Sequence, residues 1–182
     1  MIVVTREISL QYINMVENNA KGILFSVLIT GCNRGLGLEM VRHLLSLRNP
    51  PQYLFATCRD IDTSSTLRAY NGFWNRRTKV SVLEMEVNDE NQVSDAVAFV
   101  ENKLEGIGLS LLINNAETHV RKNLEAVCCE DMRRTFKTNT VAPLMMAKAF
   151  HSILRSFVLL DTEKTTERYA AIVNISSVMG KY

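Results

Sequence analysis

The chain has 182 residues, of which 47% are apolar and 22% are charged, and its formal net charge is +2. This composition is ordinary for a soluble globular protein, and it excludes a disordered, collagen-like or low-complexity chain. So small a charge excess provides no field to attract nucleic acid or an anionic membrane, and no apolar run reaches the roughly 18 residues of a spanning helix.

The cysteines and the N-terminal residues predict a reducing compartment. None of the four cysteines forms a C-x-x-C pair, so their spacing fits neither a disulfide framework nor a zinc site: Cys32, Cys58, Cys128 and Cys129. Arg6 and Glu7 interrupt the only apolar start, so no secretory signal is indicated. We therefore expect a cytoplasmic, metal-free protein with an N-terminal extension over residues 1–22 and one domain over residues 23–182.

Short apolar runs alternate with longer amphipathic segments along the domain. The runs predict strands at 23–30, 53–58, 80–85, 109–113 and 170–175. Helical spacing lies between them at 36–48, 93–104 and 130–159, and Pro143 interrupts the last segment. Strands that alternate with helices indicate a parallel sheet with right-handed crossovers. The predicted fold class is α/β, a doubly wound parallel sheet of the Rossmann type.

A glycine-rich turn joins the first predicted strand to the first helix. It reads Thr30-Gly31-Cys32-Asn33-Arg34-Gly35-Leu36-Gly37. Such a turn places backbone N–H groups and the positive helix end against an anion, and its glycines admit a pyrophosphate. A plain strand-to-helix turn is the alternative, and a P-loop is excluded because no Lys-Ser/Thr follows the last glycine. The candidate cofactor-binding residues here are Gly31, Asn33, Arg34, Gly35, Leu36 and Gly37.

Three further motifs follow the glycine turn. Asn114-Asn115-Ala116 ends the fourth predicted strand, Asn139 lies in the next helix, and Asn174-Ile175-Ser176-Ser177 ends the fifth strand. With the order T-G-x-x-x-G-x-G, these motifs resemble the short-chain dehydrogenase/reductase family over about residues 23–180. The segment around the turn and the stretch 50–55 are similar to the sniffer-type carbonyl reductases of that family.

The resemblance implies hydride transfer between a nicotinamide dinucleotide and a small-molecule carbonyl or alcohol substrate. It implies that Ser177 hydrogen-bonds the substrate oxygen and that Asn139 takes part in a proton relay. It places Asn114, Asn115 and Ala116 beside the cofactor, and it implies a homo-oligomer, as in the family. The family's proton donor belongs to a Y-x-x-x-K pair a dozen or more residues after the serine, whereas the sequence stops at Tyr182. We therefore expect a chain truncated at the C-terminus and inactive alone; the alternative is a non-catalytic NADP-binding or partner-binding protein.

Charge at the end of the second predicted strand indicates which dinucleotide is bound. NAD enzymes usually place an acidic residue there, but this chain has Thr57-Cys58-Arg59. A guanidinium binds a 2′-phosphate in a fork, and Arg34 in the turn can reach the same point, which favours NADPH. The resemblance places Glu86 and Val87 at the border of the adenine. Glu117 stands where the family carries glycine, which predicts weakened cofactor affinity.

Overall fold

The computed structural model describes residues 2–4, 24–72, 77–160 and 168–176. Its strands form one parallel sheet in the order β1-β6-β5-β2-β3-β4. The strands are β1 (Ile2–Val4), β2 (Ser26–Ile29), β3 (Tyr53–Cys58), β4 (Lys79–Glu84), β5 (Leu111–Asn114) and β6 (Ala171–Ile175). The helices are α1 (Gly35–Ser46), α2 (Ser65–Arg68), α3 (Glu90–Leu104), α4 (Cys129–Phe136), α5 (Ala142–Ala149) and α6 (His151–Leu159), with a π-helical segment at Lys137–Val141.

The central strands are buried on both faces, which explains why they are continuous apolar runs. Every residue of β2 and β5 is buried. Because successive side chains of a strand point to opposite faces, Val27 and Ile29 pack into the layer under α1, whereas Leu28 packs into the layer with α3, α5 and α6. The predicted α/β doubly wound fold class is therefore confirmed.

The strand order changes direction beside β2, and this fixes where a ligand can bind. β2 pairs with β3 on one side and with β5 on the other. The chain leaves the carboxyl end of β2 through the glycine turn and enters α1 at Gly35. In parallel α/β sheets, the crevice outside the carboxyl ends of the strands at such a reversal is the usual ligand site.

The N-terminal residues contribute a strand that the sequence analysis did not predict. Ile2–Val4 pairs in parallel with β6, with Ile2 opposite Val173 and Val4 opposite Ile175. The sheet thus includes part of the segment that we treated as an extension. An isolated apolar triplet carries too little periodicity to identify a strand, so only its pairing with β6 reveals it.

The long helical stretch is divided differently from the prediction. It comprises α4, the π-helical segment, α5 and α6. The π-helical segment, which is the wider turn, precedes Pro143 and does not follow it. Pro143 lies in the first turn of α5, where a missing N–H is tolerated. Because Pro143 cannot donate to the carbonyl of Asn139 four residues earlier, the α-helical pattern fails there, and Ala142 N–H instead donates to the carbonyl of Lys137.

Among the described helices, none is both long enough and apolar enough to cross a membrane.

Candidate functional site

Two glycines of the turn adopt conformations that other residues rarely adopt. Gly31 has φ +71° and Gly35 has φ +59°. A Cβ on Gly31 would lie 2.8 Å from the Cα of Ala116, so the turn and the end of β5 touch through this glycine. A Cβ on Gly35 would meet no heavy atom within 4 Å. The space above Gly35, at the start of α1, is therefore open to an incoming group.

Gly37 is enclosed by the turn itself. A Cβ there would lie 2.3 Å from the carbonyl oxygen of Gly31 and 2.7 Å from Nδ2 of Asn115. The nearest atoms belong to the glycine turn and to the loop after β5, so Gly37 allows α1 to begin directly above them.

Thr30 and Asn115 lock the turn to the end of β5. The hydroxyl of Thr30 accepts hydrogen bonds from the N–H groups of Asn115 at 3.0 Å and Ala116 at 2.9 Å. The side-chain amide of Asn115 donates to the carbonyls of Thr30 at 2.9 Å and Gly31 at 3.1 Å. These four bonds hold the residues of two predicted motifs in one rigid unit. The T-G at the start of the motif was the available signal for Thr30, which we did not select.

Asn114 connects three elements. Its Nδ2 donates to Oδ1 of Asn174 at 2.8 Å and to the carbonyl of Pro143 at 3.4 Å, which joins β5 to β6 and α5. Its own Oδ1 is buried and has no hydrogen-bond partner in the described part of the chain. An orphan acceptor at the carboxyl end of a central strand is typical of a site that a further polar group completes.

Arg34 and Arg59 are both exposed at this edge of the sheet. Arg34 precedes α1 as its N-cap residue. Arg59 follows β3, its side chain is 75% exposed, and its Nε lies 3.8 Å from Oε2 of Glu86. Glu86 and Val87 lie beyond the end of β4 rather than at its last residues, because β4 ends at Glu84. Val87 is 9% exposed and packs into the apolar layer beside α3, so only a small part of its side chain is accessible to a ligand.

Two carboxylates near Arg59 are already engaged. Oε1 of Glu86 accepts hydrogen bonds from the backbone and the side chain of Asn88 at 3.2 and 3.1 Å. Asp60 accepts a hydrogen bond from the N–H of Thr63 at 3.1 Å, and this bond lowers the pKa of Asp60. Asp60 therefore supports the loop after β3, and Glu86 is the acidic neighbour of Arg59.

Asn139 is exposed, and its side chain is paired with Thr118. Its Oδ1 accepts from the N–H of Thr118 and its Nδ2 donates to the carbonyl of the same residue, both at 2.9 Å. Asn139 lies within the π-helical segment. This reciprocal pair fastens the loop after β5, which carries the exposed Glu117, to the helix. The other predicted catalytic residue, Ser177, lies outside the described residues.

Cys32 and Cys58 are buried beside the turn as free thiols. The thiol of Cys32 donates to the carbonyl of Ile29 at 3.2 Å, and its N–H donates to the carbonyl of Thr57 at 2.7 Å. Burial raises the pKa of both thiols, so neither is a ready nucleophile at neutral pH. Within the described ranges, no group of three or more His, Cys, Asp or Glu side chains could hold a metal ion.

Several known proteins are similar to this chain in sequence and fold. Residues 26–182 match the family model described as short chain dehydrogenase. The NADPH-bound carbonyl reductase from chicken fatty liver is 37% identical with a TM-score of 0.74, over 86% of this chain and 61% of that chain. Carbonyl reductase Sniffer of Drosophila melanogaster is 36% identical with a TM-score of 0.76, over 86% and 63%.

A curated relative gives the same assignment at lower identity. Human retinol dehydrogenase 8 is 29% identical over 155 residues, which are 85% of this chain and 45% of that protein. The chain thus spans about half the length of this relative. The matched family model covers most of the chain and includes the glycine turn, the Asn114-Asn115-Ala116 segment and Asn139. The chain belongs to the short-chain dehydrogenase family.

Proposed function

We propose that the chain is the cofactor-binding part of an NADPH-dependent oxidoreductase of the carbonyl reductase type. The observation that carries this proposal is the open space above Gly35 at the start of α1, with the exposed Arg34 next to it in the chain and the exposed Arg59 after the neighbouring strand β3. Backbone N–H groups at a helix start favour a pyrophosphate, and guanidinium groups favour a further phosphate. The 37% identical chicken liver carbonyl reductase is described as NADPH-bound, which supports the same cofactor.

The residues present fit a dinucleotide that carries a 2′-phosphate. No carboxylate occupies the last position of β3, which is Cys58, and Asp60 is engaged by Thr63. Arg59 is held only loosely by Glu86 at 3.8 Å, so a doubly charged phosphate can compete for its guanidinium. Arg34 provides a second charge at the N-cap of α1. NADH has no 2′-phosphate, so it would leave these two guanidinium groups without that partner.

The reaction that this cofactor supports is hydride transfer to a carbonyl carbon. In this proposal Ser177 hydrogen-bonds the carbonyl oxygen of a small-molecule substrate. Asn139 positions the loop after β5 through its two bonds to Thr118. The developing alkoxide then needs a proton donor. No tyrosine in the sequence is followed by lysine four residues later, so the chain as given does not supply the family's donor pair.

A second candidate function is cofactor binding without catalysis. The exposed Glu117, which adds a negative charge beside the proposed nicotinamide end, favours it. Under both functions the glycine turn binds the dinucleotide, so the two differ only in turnover.

One titration tests the proposal. NADPH and NADH are added separately to the chain, and binding is followed by cofactor fluorescence, for the starting protein and for Arg59→Gln. We expect tighter binding of NADPH, and a roughly tenfold loss for NADPH alone in the variant, because one charge-assisted hydrogen bond is removed. Arg155→Gln, which removes an exposed charge on α6, is the matched control.

Adding a panel of aldehydes and ketones to the NADPH complex then separates the two functions. We expect no oxidation of NADPH by the chain as given. Equal affinity for the two cofactors would refute the assignment of NADPH, and absence of binding would refute both functions.

A further inference from the structure

A second polar concavity lies at the opposite end of the sheet from the glycine turn. It has a volume of about 670 Å³ and is lined by Arg48–Pro50, Gln52 and Arg77–Lys79. These residues precede β3 and lead into β4. Parallel strands rise about 3.3 Å per residue, so the seven steps along β3 from Gln52 to Arg59 span roughly 23 Å. The two places are therefore distinct.

The lining is strongly positive. Its described lining residues include Arg48, Arg77 and Lys79 and neither aspartate nor glutamate. The whole chain has a net charge of only +2, so three cations around one concavity are a local concentration. Like charges gathered in one place repel each other, and a bound anion relieves that repulsion.

Contacts within the protein hold two of the three cations in place. Nη1 of Arg77 donates to the backbone carbonyl of Arg48 at 2.8 Å, which ties the segment before β4 to the segment after α1. Nζ of Lys79 lies 5.0 Å from the centre of the Tyr53 ring and 3.5 Å from its hydroxyl oxygen. Because the side chains are already positioned, a ligand that meets them loses less side-chain entropy on binding.

We propose that this concavity binds a small soluble polyanion that carries phosphate groups. A guanidinium presents five N–H donors in a fork that matches phosphate oxygens, and the amides of Asn49 and Gln52 add neutral donors. The volume lies in the range of small-molecule sites, about 300–1,000 Å³. The low net charge of the chain disfavours a nucleic acid, which requires an extended basic surface.

The source of the phosphate group is a free small molecule rather than a lipid headgroup. Among the described lining residues Pro50 is the one apolar residue, so the described lining offers little of the apolar surface that inserts into a bilayer. The site is independent of the proposed function, because it shares no residue with the glycine turn.

Inorganic pyrophosphate titrated into the isotope-labelled full chain, followed by amide chemical shifts, tests this site directly. We expect shifts at Asn49, Gln52 and Lys79 that saturate. The double variant Arg48→Gln/Arg77→Gln should weaken this binding at least about tenfold, and Arg77→Lys, which keeps the charge but loses the fork, should weaken it less. Arg133→Gln/Arg155→Gln removes the same charge elsewhere and should leave the binding unchanged.

Three results would overturn the proposal. The first is saturating shifts confined to residues 31–37, which would place the anion only at the glycine turn. The second is equal weakening in both double variants, which would show a general charge effect. The third is binding to vesicles of phosphatidylinositol phosphate and phosphatidylcholine without binding of pyrophosphate, which would make a lipid headgroup the source. A chain that fails to bind NADPH but shows these shifts would refute the proposed function and leave this site standing.

Discussion

Gly37 has no room for a side chain. Its substitution by alanine would place a Cβ 2.3 Å from the carbonyl oxygen of Gly31, a backbone atom that the bonds of Asn115 hold in place. We expect Gly37→Ala to lower the free energy of unfolding by about 1–3 kcal/mol, the usual cost of overpacking. Thermal unfolding measures this loss.

Gly72→Ala is the comparison variant for this measurement. Gly72 has φ +72°, but a Cβ there would meet no heavy atom within 4 Å. It therefore carries only the backbone cost, about 1–2 kcal/mol. The account of Gly37 is contradicted if Gly37→Ala binds NADPH as the starting protein does and unfolds at the same temperature as that protein.

Asp131 gives the stability of the protein a pH dependence. Its Oδ2 accepts from Nζ of Lys122 at 2.6 Å and from the N–H of Cys128 at 3.1 Å. The Lys122 hydrogen bond first, and the Cys128 bonds next, lower the pKa of Asp131 to about 2. Because the pKa is lower in the folded than in the unfolded state, where it is about 3.9, this stabilisation is complete above pH 4 and is lost as the pH falls towards 2.

The pH dependence can be measured by unfolding temperature between pH 7 and pH 2. We expect Asp131→Asn to be less stable than the starting protein at pH 7 and the difference to shrink below pH 4. Asp95→Asn, at an exposed position on α3, should show no such convergence. A constant difference at all pH values would mean that Asp131 acts through packing alone.

The sequence motifs predicted which segments meet at the site, but they did not predict which side chains contact each other there. Glycines that need a positive φ and an Asn-Asn-Ala segment after a strand are local signals, and both predicted segments do meet at Gly31 and Ala116. The partner of Asn139 is Thr118, 21 residues away. Such a partner depends on how the loop after β5 lies against the helix, which no spacing in the sequence records.

At the scale of elements, the buried strands were easier to predict than the division of the long helical stretch. Tyr53–Cys58 has the predicted bounds because Pro50-Pro51 ends the preceding helical stretch and the run that follows is continuously apolar. The break in the long helix was placed at Pro143, but the missing N–H acts four residues earlier, so the π-helical segment precedes it. The sequence shows where the proline is, whereas the structure shows which earlier residues change their helical hydrogen bonds because the proline has no N–H.

The pairing of β1 with β6 is testable by removing residues 1–4. In the structure β6 has neighbours on both sides, β5 and β1. Without β1, amide hydrogens of residues 171–175 should exchange faster, because the edge of β6 would lose its protection. The amides of β3 are the internal control, since β3 pairs with β2 and β4. Unchanged exchange in β6 would contradict the pairing.

At the scale of the whole molecule, the two proposed anion-binding sites lie at opposite ends of the strands of the parallel sheet. The carboxyl ends of β2, β3 and β5 carry the glycine turn and the proposed dinucleotide site. The opposite ends of β3 and β4 carry the concavity with three cations. A parallel sheet places all strand ends of one kind at one edge, so ligands at the two edges can be mapped independently.

The central claim is that the glycine turn binds NADPH, and amide chemical shifts of the labelled chain during an NADPH titration test it most directly. The account predicts saturating shifts at residues 31–37, at Arg59 and at residues 115–116, with a smaller response or none at residues 48–52. Gly35→Val fills the open space above the turn and also strains the backbone, whose φ is +59° at this position. When the remaining spectrum shows that this variant is folded, it should have lost these shifts. Saturating shifts that spare residues 31–37, or that persist in Gly35→Val, would contradict the account.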